Sequence, residues 1–196
     1  RDGTEIAIRP IRPADRAGLA AGFERLSPES RYRRFFTGRS RLTERELDYL
    51  VEVDHHDHEA LLAIDPATRD GIAVARYVRT GPDSAEPALV VADDWQGRGL
   101  GGELLRLLVE RARAEGIRRF EAPILAANVD AIRAFQRVGP SVVRPEGEEV
   151  TVLIELPDGR PHVQWRRLLP HFAAGALEPR NLLARLRPSS AKLDDE

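Results

Sequence analysis

Leu89-Val90-Val91-Ala92-Asp93-Asp94-Trp95-Gln96-Gly97-Arg98-Gly99-Leu100-Gly101-Gly102 is the stretch that decides how this chain folds. A strand-like run enters a turn with glycines at 97, 99, 101 and 102. A helical period then begins, with Leu104, Leu105, Leu107, Leu108 and Ala112 apolar, and stops at Gly116. Glycines let a backbone approach a ligand without Cβ clashes. The helix start offers unpaired N–H groups and the positive end of its dipole. Strand, turn and helix together predict an anion site suited to a pyrophosphate, and Arg98 adds a permanent charge. A dinucleotide fold would want this turn after a first strand, with a carboxylate about 20 residues on. Here the turn follows a fourth strand, and the Gly-Lys-Ser/Thr ending of a nucleotide P-loop is absent.

Working outward, residues 60–64, 72–78 and 88–91 read as strands, separated by turns at Gly71 and at Gly81-Pro82-Asp83-Ser84. Residues 4–8 alternate, with Ile6 and Ile8 on one face, and predict a strand running into Pro10 and Pro13. Residues 15–23 carry Leu19 and Phe23 at helical spacing. Ser27-Pro28-Glu29-Ser30 is a helix start, and Thr43-Glu44-Arg45-Glu46 is a capping box opening a short helix through Leu50. Downstream, residues 120–125 predict a strand, residues 129–138 a helix capped by Asn128 and closed by Gly139, and residues 150–156 an alternating strand. Pro157-Asp158-Gly159-Arg160 signals a hairpin returning through residues 163–165, and residues 188–196 read as a solvated tail. Such an order predicts one mixed α/β (α+β) domain.

Bulk properties narrow the function class. A length of 196 residues suits one domain with an appendage, and 42% hydrophobic residues can build its core. The net charge of -2 argues against a nucleic-acid binder, which would show a basic excess. Without cysteine there is no disulfide framework, thiolate nucleophile or zinc cluster, which is compatible with a cytoplasmic protein. No apolar run approaches the roughly 20 residues that span a bilayer, so no membrane association is expected. The chain opens on Arg1 and contains no Met, so its start is expected to have been removed.

Gln96-Gly97-Arg98-Gly99-Leu100-Gly101 resembles the acetyl-CoA motif of the GNAT superfamily of N-acetyltransferases, Q/R-x-x-G-x-G/A. The context matches too: a strand before, an amphipathic helix after, and Asn128 opening the next helix beyond one further strand. Asp2-Gly3-Thr4-Glu5, Ile8-Arg9-Pro10-Ile11 and Leu26-Ser27-Pro28-Glu29-Ser30-Arg31-Tyr32-Arg33-Arg34-Phe35 resemble the Pat-type protein lysine acetyltransferases. The resemblance covers residues 1–156 and implies a GNAT-like domain, with a mixed, mostly antiparallel central sheet flanked by helices. Residues 157–196 are then a C-terminal extension, partly a disordered tail. In the Pat-type group such a domain often follows a regulatory or acyl-CoA-synthetase-like domain. The resemblance implies acetyl-CoA as co-substrate. Leu89, Val90 and Val91 would splay from the next strand to meet the pantetheine. Gln96, Gly97, Arg98, Gly99, Leu100, Gly101 and Gly102 would hold the pyrophosphate, and Asn128 would contact the cofactor further on. Asn128 as a plain helix cap is an equally good local reading. The implied acceptor is a protein lysine, on an acyl-CoA synthetase in the Pat-type case. A small-molecule amine is the first alternative, and a non-catalytic acyl-CoA-sensing module is the second.

A lysine ammonium has a pKa near 10.4, so using it as a nucleophile at neutral pH costs about 4.6 kcal/mol and favours a general base. A CoA thiol resembles Cys at about 8.5, so expelling it unprotonated costs only about 2 kcal/mol. A general acid therefore matters less, and Phe135 stands where many family members carry a Tyr acid. Pat-like proteins imply Glu86 as the base, sharing a strand face with Ala88 and Val90 unless a bulge shifts the parity. Asp83 and Glu59 are the other candidates. Asp54-His55-His56-Asp57-His58 has metal-ligand residue types, but consecutive ligands point apart, so a solvated turn and no metal are expected. The arginines at 31, 33, 34, 39 and 41, and those at 160, 166, 167, 180, 185 and 187, form two basic clusters able to meet the phosphates of CoA or an acidic protein surface, but are expected instead to be solvated or paired with nearby carboxylates.

Overall fold

The structure is a computed structural model and describes residues 6–35 and 39–157. The hairpin return, the second arginine group and the tail expected after Pro157 lie outside the described residues. Seven strands form one sheet: β1 (Ala7–Pro10), β2 (His58–Ile64), β3 (Gly71–Arg79), β4 (Ser84–Val91), β5 (Arg119–Leu125), β6 (Ser141–Glu146) and β7 (Glu149–Glu155). Their order is β1-β2-β3-β4-β5-β7-β6, and β4–β5 is its one parallel pair. The helices are α1 (Arg16–Arg25), α2 (Pro28–Phe35), α3 (Glu44–Val51), α4 (Leu100–Ala114) and α5 (Val129–Gln136). This is the mixed α/β domain that the order of elements predicts, with the mostly antiparallel sheet that the resemblance implied. Among the described residues no helix is long and apolar enough to cross a membrane.

Strand alternation divides the core between two sheet faces. On one face α4 buries Leu104, Leu105, Leu108 and Ala112 against Ala73, Ala75, Tyr77 and Phe120. On the other, Ile11, Val51, Ala60, Leu62 and Val74 cluster with Leu19 of α1. Because both faces are covered, β2 and β3 read as nearly continuous apolar runs. α2 also lies near β4, held by Asp93, which accepts from the Ser27 N–H at 2.8 Å and the Ser30 hydroxyl at 2.6 Å.

α3 starts as its capping box demands. Thr43 Oγ1 accepts the Glu46 N–H at 3.3 Å, and Glu46 accepts the Thr43 N–H at 2.6 Å. Thr43→Ala is expected to lower stability by about 1 kcal/mol, read as a lower urea midpoint with unchanged slope. An unchanged midpoint would show that packing alone holds α3.

Apart from boundary shifts of one or two residues, three elements differ from the sequence reading. β1 runs over Ala7–Pro10 rather than residues 4–8, of which 4 and 5 lie outside the described residues. β4 begins at Ser84, four residues before the expected start at 88, because Pro87 obscures its strand character. β6 was not expected at all. It is an edge strand pairing only with β7, it contains Pro145, and Val142 is 61% exposed, so it lacks a buried alternating face.

Candidate active site

The site arises where β4 and β5 part. Their parallel ladder consists of Ser84↔Arg119 and Ala85↔Phe120, and beyond Ala85 the β5-facing backbone groups of β4 have no ladder partner. A cleft of about 560 Å³ opens there, walled by residues 86–91, by Pro123 and Ile124, by the glycine turn and by the start of α5. The splaying of Leu89, Val90 and Val91 is thus a feature of the sheet itself.

The glycine turn is built by left-handed backbone and close packing. Gly97 and Gly99 have φ of 73° and 91°, which side chains with a Cβ rarely adopt. Gly99 is the residue before the first turn of α4. At Gly101 a Cβ would lie 3.1 Å from Leu89 Cδ2 and 3.6 Å from Val91 Cγ2, so the helix start rests on β4. Leu100 and Gly102 also line the cleft. This 15-residue helix therefore presents its first N–H groups to the cleft, an arrangement able to hold a doubly charged phosphate bridge. Gln96 lines the cleft too, but its amide donates back to the Val91 carbonyl at 3.1 Å and shapes the turn. Arg98 does not line the cleft; its guanidinium stacks over the Trp95 ring at 4.7 Å.

β3 and β4 pair without a register shift from Ala73↔Val91 to Arg79↔Ala85. No bulge intervenes, so Glu86, Ala88 and Val90 share the face toward α1–α3, while Leu89 and Val91 face α4. Glu86 is half-buried in the cleft wall. Burial raises its carboxyl above the ordinary value, the Arg34 charge opposes this, and the Glu121 carboxylate adds to it. A carboxylate with raised pKa in a cleft is well matched to accepting a proton near neutral pH. The other two candidates are placed elsewhere. Glu59 is fully buried, accepting from Arg111 Nε at 2.9 Å with His55 Nδ1 2.7 Å away, and does not reach the cleft. Asp83 pairs with Arg119 at 2.9 Å outside it.

At the far side, Asn128 lines the cleft while its Oδ1 accepts the Ala131 N–H at 3.3 Å as the cap of α5. Phe135 lines it as well, only 4% exposed, with no group to donate a proton. The 54–58 segment is not merely a solvated turn. Asp54 Oδ1 accepts the backbone N–H groups of His56, Asp57 and His58, His56 meets Glu115, and His58 is buried against Arg76. Among the described residues no three such side chains are grouped to hold a metal ion. The N-terminal arginines largely pair as expected: Arg33–Glu29, Arg39–Glu46 and Arg41–Glu24.

Sequence reasoning placed Arg33 and Arg34 in a basic cluster able to meet CoA phosphates without assigning them to this cleft, and read Ser30 only as part of a helix start. All three line the cleft from α2. Their spacing of i, i+3, i+4 puts them on one helix face, a signal the sequence carried.

Comparisons with known proteins place the chain in a family. Residues 26–139 match the Acetyltransferase (GNAT) family. The chain is 36% identical over 159 residues to "Acetyltransferase Pat" of Mycolicibacterium smegmatis, covering 80% of this chain and 47% of that protein. It is 34% identical over 131 residues to an acetyltransferase of Pseudomonas aeruginosa, covering 65% of this chain and 70% of the relative. Among solved structures, the GNAT domain of S. lividans PAT superposes with a TM-score of 0.75 at 34% identity, over 80% of this chain and 93% of that one. The chain thus spans about half the length of the Mycolicibacterium relative. Helix, turn, parted strands and these likenesses converge: the chain belongs to the acetyltransferase (GNAT) family.

Proposed function

We propose that this domain is a cytoplasmic N-acetyltransferase that passes the acetyl group of acetyl-CoA to a protein lysine. The parting of β4 and β5 over an N–H-rich helix start carries the reading, because it offers one continuous cleft for a long anionic thioester. Bound acetyl-CoA supplies the activated acyl group. The N–H groups at 97–102 hold its pyrophosphate, the unpaired edge of β4 from 89 to 91 meets its amide-bearing arm, and Asn128 borders it further on. Glu86 takes the ammonium proton, directly or through water. A β4 N–H near Leu89 stabilises the charge that develops on the carbonyl oxygen. Phe135 leaves the departing thiolate without an acid, which costs only about 2 kcal/mol at neutral pH.

Similarity to Pat-type relatives over most of the described residues supports a protein acceptor, an acyl-CoA synthetase being the first to test. The domains follow the same reading, residues 1–156 forming the transferase and 157–196 an extension. Cell lysate incubated with the protein and labelled acetyl-CoA is expected to yield labelled lysines confined to one protein class. Turnover with small amines but no labelled lysine would move the acceptor to a small molecule. Binding without turnover on either panel would leave an acyl-CoA sensor, the reading that Phe135 favours.

A further inference from the structure

A second cavity, of about 190 Å³, lies under α1 on the sheet face that carries Glu86. α1 places glycine at 18 and 22 on the cavity wall; a Cβ at Gly18 would meet nothing within 4 Å, and one at Gly22 would meet the Gly71 carbonyl at 3.7 Å and Arg25 Nη2 at 4.0 Å. Its apolar lining includes Leu19, Phe23, Leu62 and Val74. Cavities of about 150 Å³ with such walls accept a molecule of benzene's size.

Its charge is one-sided. Among the described residues Asp15 is the one carboxylate on the wall, and Arg9 takes it through two contacts of 2.7 and 2.6 Å. Arg34, Arg69 and Arg76 also line the cavity, and none of the three forms an ion pair among the described residues. Arg76 is only 5% exposed. Its two acceptors are neutral: the Leu50 carbonyl at 3.1 Å and His58 Nε2 at 3.1 Å. Burial pushes His58 down to about 3, so the ring carries no charge. Burial likewise pushes Arg76 down to about 9, with no carboxylate opposing it; Arg34, which stacks over the Phe35 ring at 4.8 Å, falls to about 10 although the Glu86 carboxylate opposes the shift. A buried, unpaired cation is costly unless a partner arrives. A carboxylate matches a guanidinium with two oxygens, whereas an amine would be repelled.

We propose that this cavity binds a small apolar carboxylate, its oxygens on Arg76 and Arg34 and its hydrocarbon part in the space left by Gly18 and Gly22. The site adjoins the cleft, since Arg34 and Val90 line both. Arg76 stands opposite Ala88, making it a diagonal neighbour of Glu86, at about 7–8 Å between such positions.

Titration calorimetry with hexanoate, hexan-1-ol and hexylamine tests this on the whole chain. Hexanoate is expected to bind at least tenfold more tightly than the alcohol, and the amine not at all. Gly18→Leu and Gly22→Leu fill the space and are expected to abolish hexanoate binding while leaving acetyl-CoA affinity unchanged. Arg76→Leu is expected to remove the preference for the acid over the alcohol. Should that variant fail to fold, the glycine variants and the three-ligand comparison still decide. Equal binding of acid and alcohol, or hexanoate binding that survives both leucines, overturns the proposal.

Discussion

Gly99→Glu and Gly101→Glu are each expected to weaken acetyl-CoA binding by on the order of 10²-fold or more, measured by calorimetry on protein whose circular dichroism is unchanged. Two physical effects act together. At Gly99 the backbone has φ of 91°, where a residue with a Cβ costs about 1–2 kcal/mol, so the turn would relax away from the geometry that aims its N–H groups. At Gly101 the new Cβ would press on Leu89 Cδ2 from 3.1 Å and lift the helix start from β4. In both variants the carboxylate also places negative charge where the pyrophosphate must lie, against the favourable end of the helix dipole. Gly102→Ala is the control, because nothing lies within 4 Å of its Cβ and alanine suits a helix better. Its affinity is expected to stay within a factor of a few. Unchanged affinity in both glutamate variants would remove the phosphate cradle, and with it the reading of the whole cleft.

The cradle was legible because glycine spacing and helical period are local properties, and the structure needs no distant contact to realise them. The same holds for the capping box at Thr43 and the caps at Ser27 and Asn128. What local pattern could not supply is which strands part. The two-residue parallel contact between β4 and β5 joins segments some 35 positions apart, and only the sheet order reveals it. Arg34 was read merely as one of a basic run, because its company of Glu86, Tyr49 and Arg76 comes from three other elements. Glu59 looked like a usable base in the sequence and is instead a buried anchor between Arg111 and His55. Edge strand β6 was invisible for a different reason: a strand with one open face and a proline gives almost no periodicity.

Glu86→Gln is expected to lower kcat by about 10²-fold to 10⁴-fold, the range of positioned general bases, with acetyl-CoA affinity nearly unchanged. The substitution keeps the shape and hydrogen-bonding capacity of the cleft wall and removes only the basic site. The sign of the pH dependence follows from the direction of the shift. Burial raises the Glu86 carboxyl, with Arg34 opposing and Glu121 assisting, so the residue is protonated and inactive at acid pH and becomes a base as pH rises through that elevated value. Wild-type kcat/KM should therefore climb with pH over an ionisation above that of an ordinary carboxylate and far below that of free lysine. In Glu86→Gln this limb should vanish, leaving a rate that rises only toward the lysine pKa, so high pH partly rescues the variant. A merely structural role for Glu86 would lower the rate without moving the profile. Wild-type activity in the variant at neutral pH would place the base elsewhere. Glu59 and Asp83 are tied to Arg111 and Arg119, so a water held on the open edge of β4 would then be the next proton acceptor to examine.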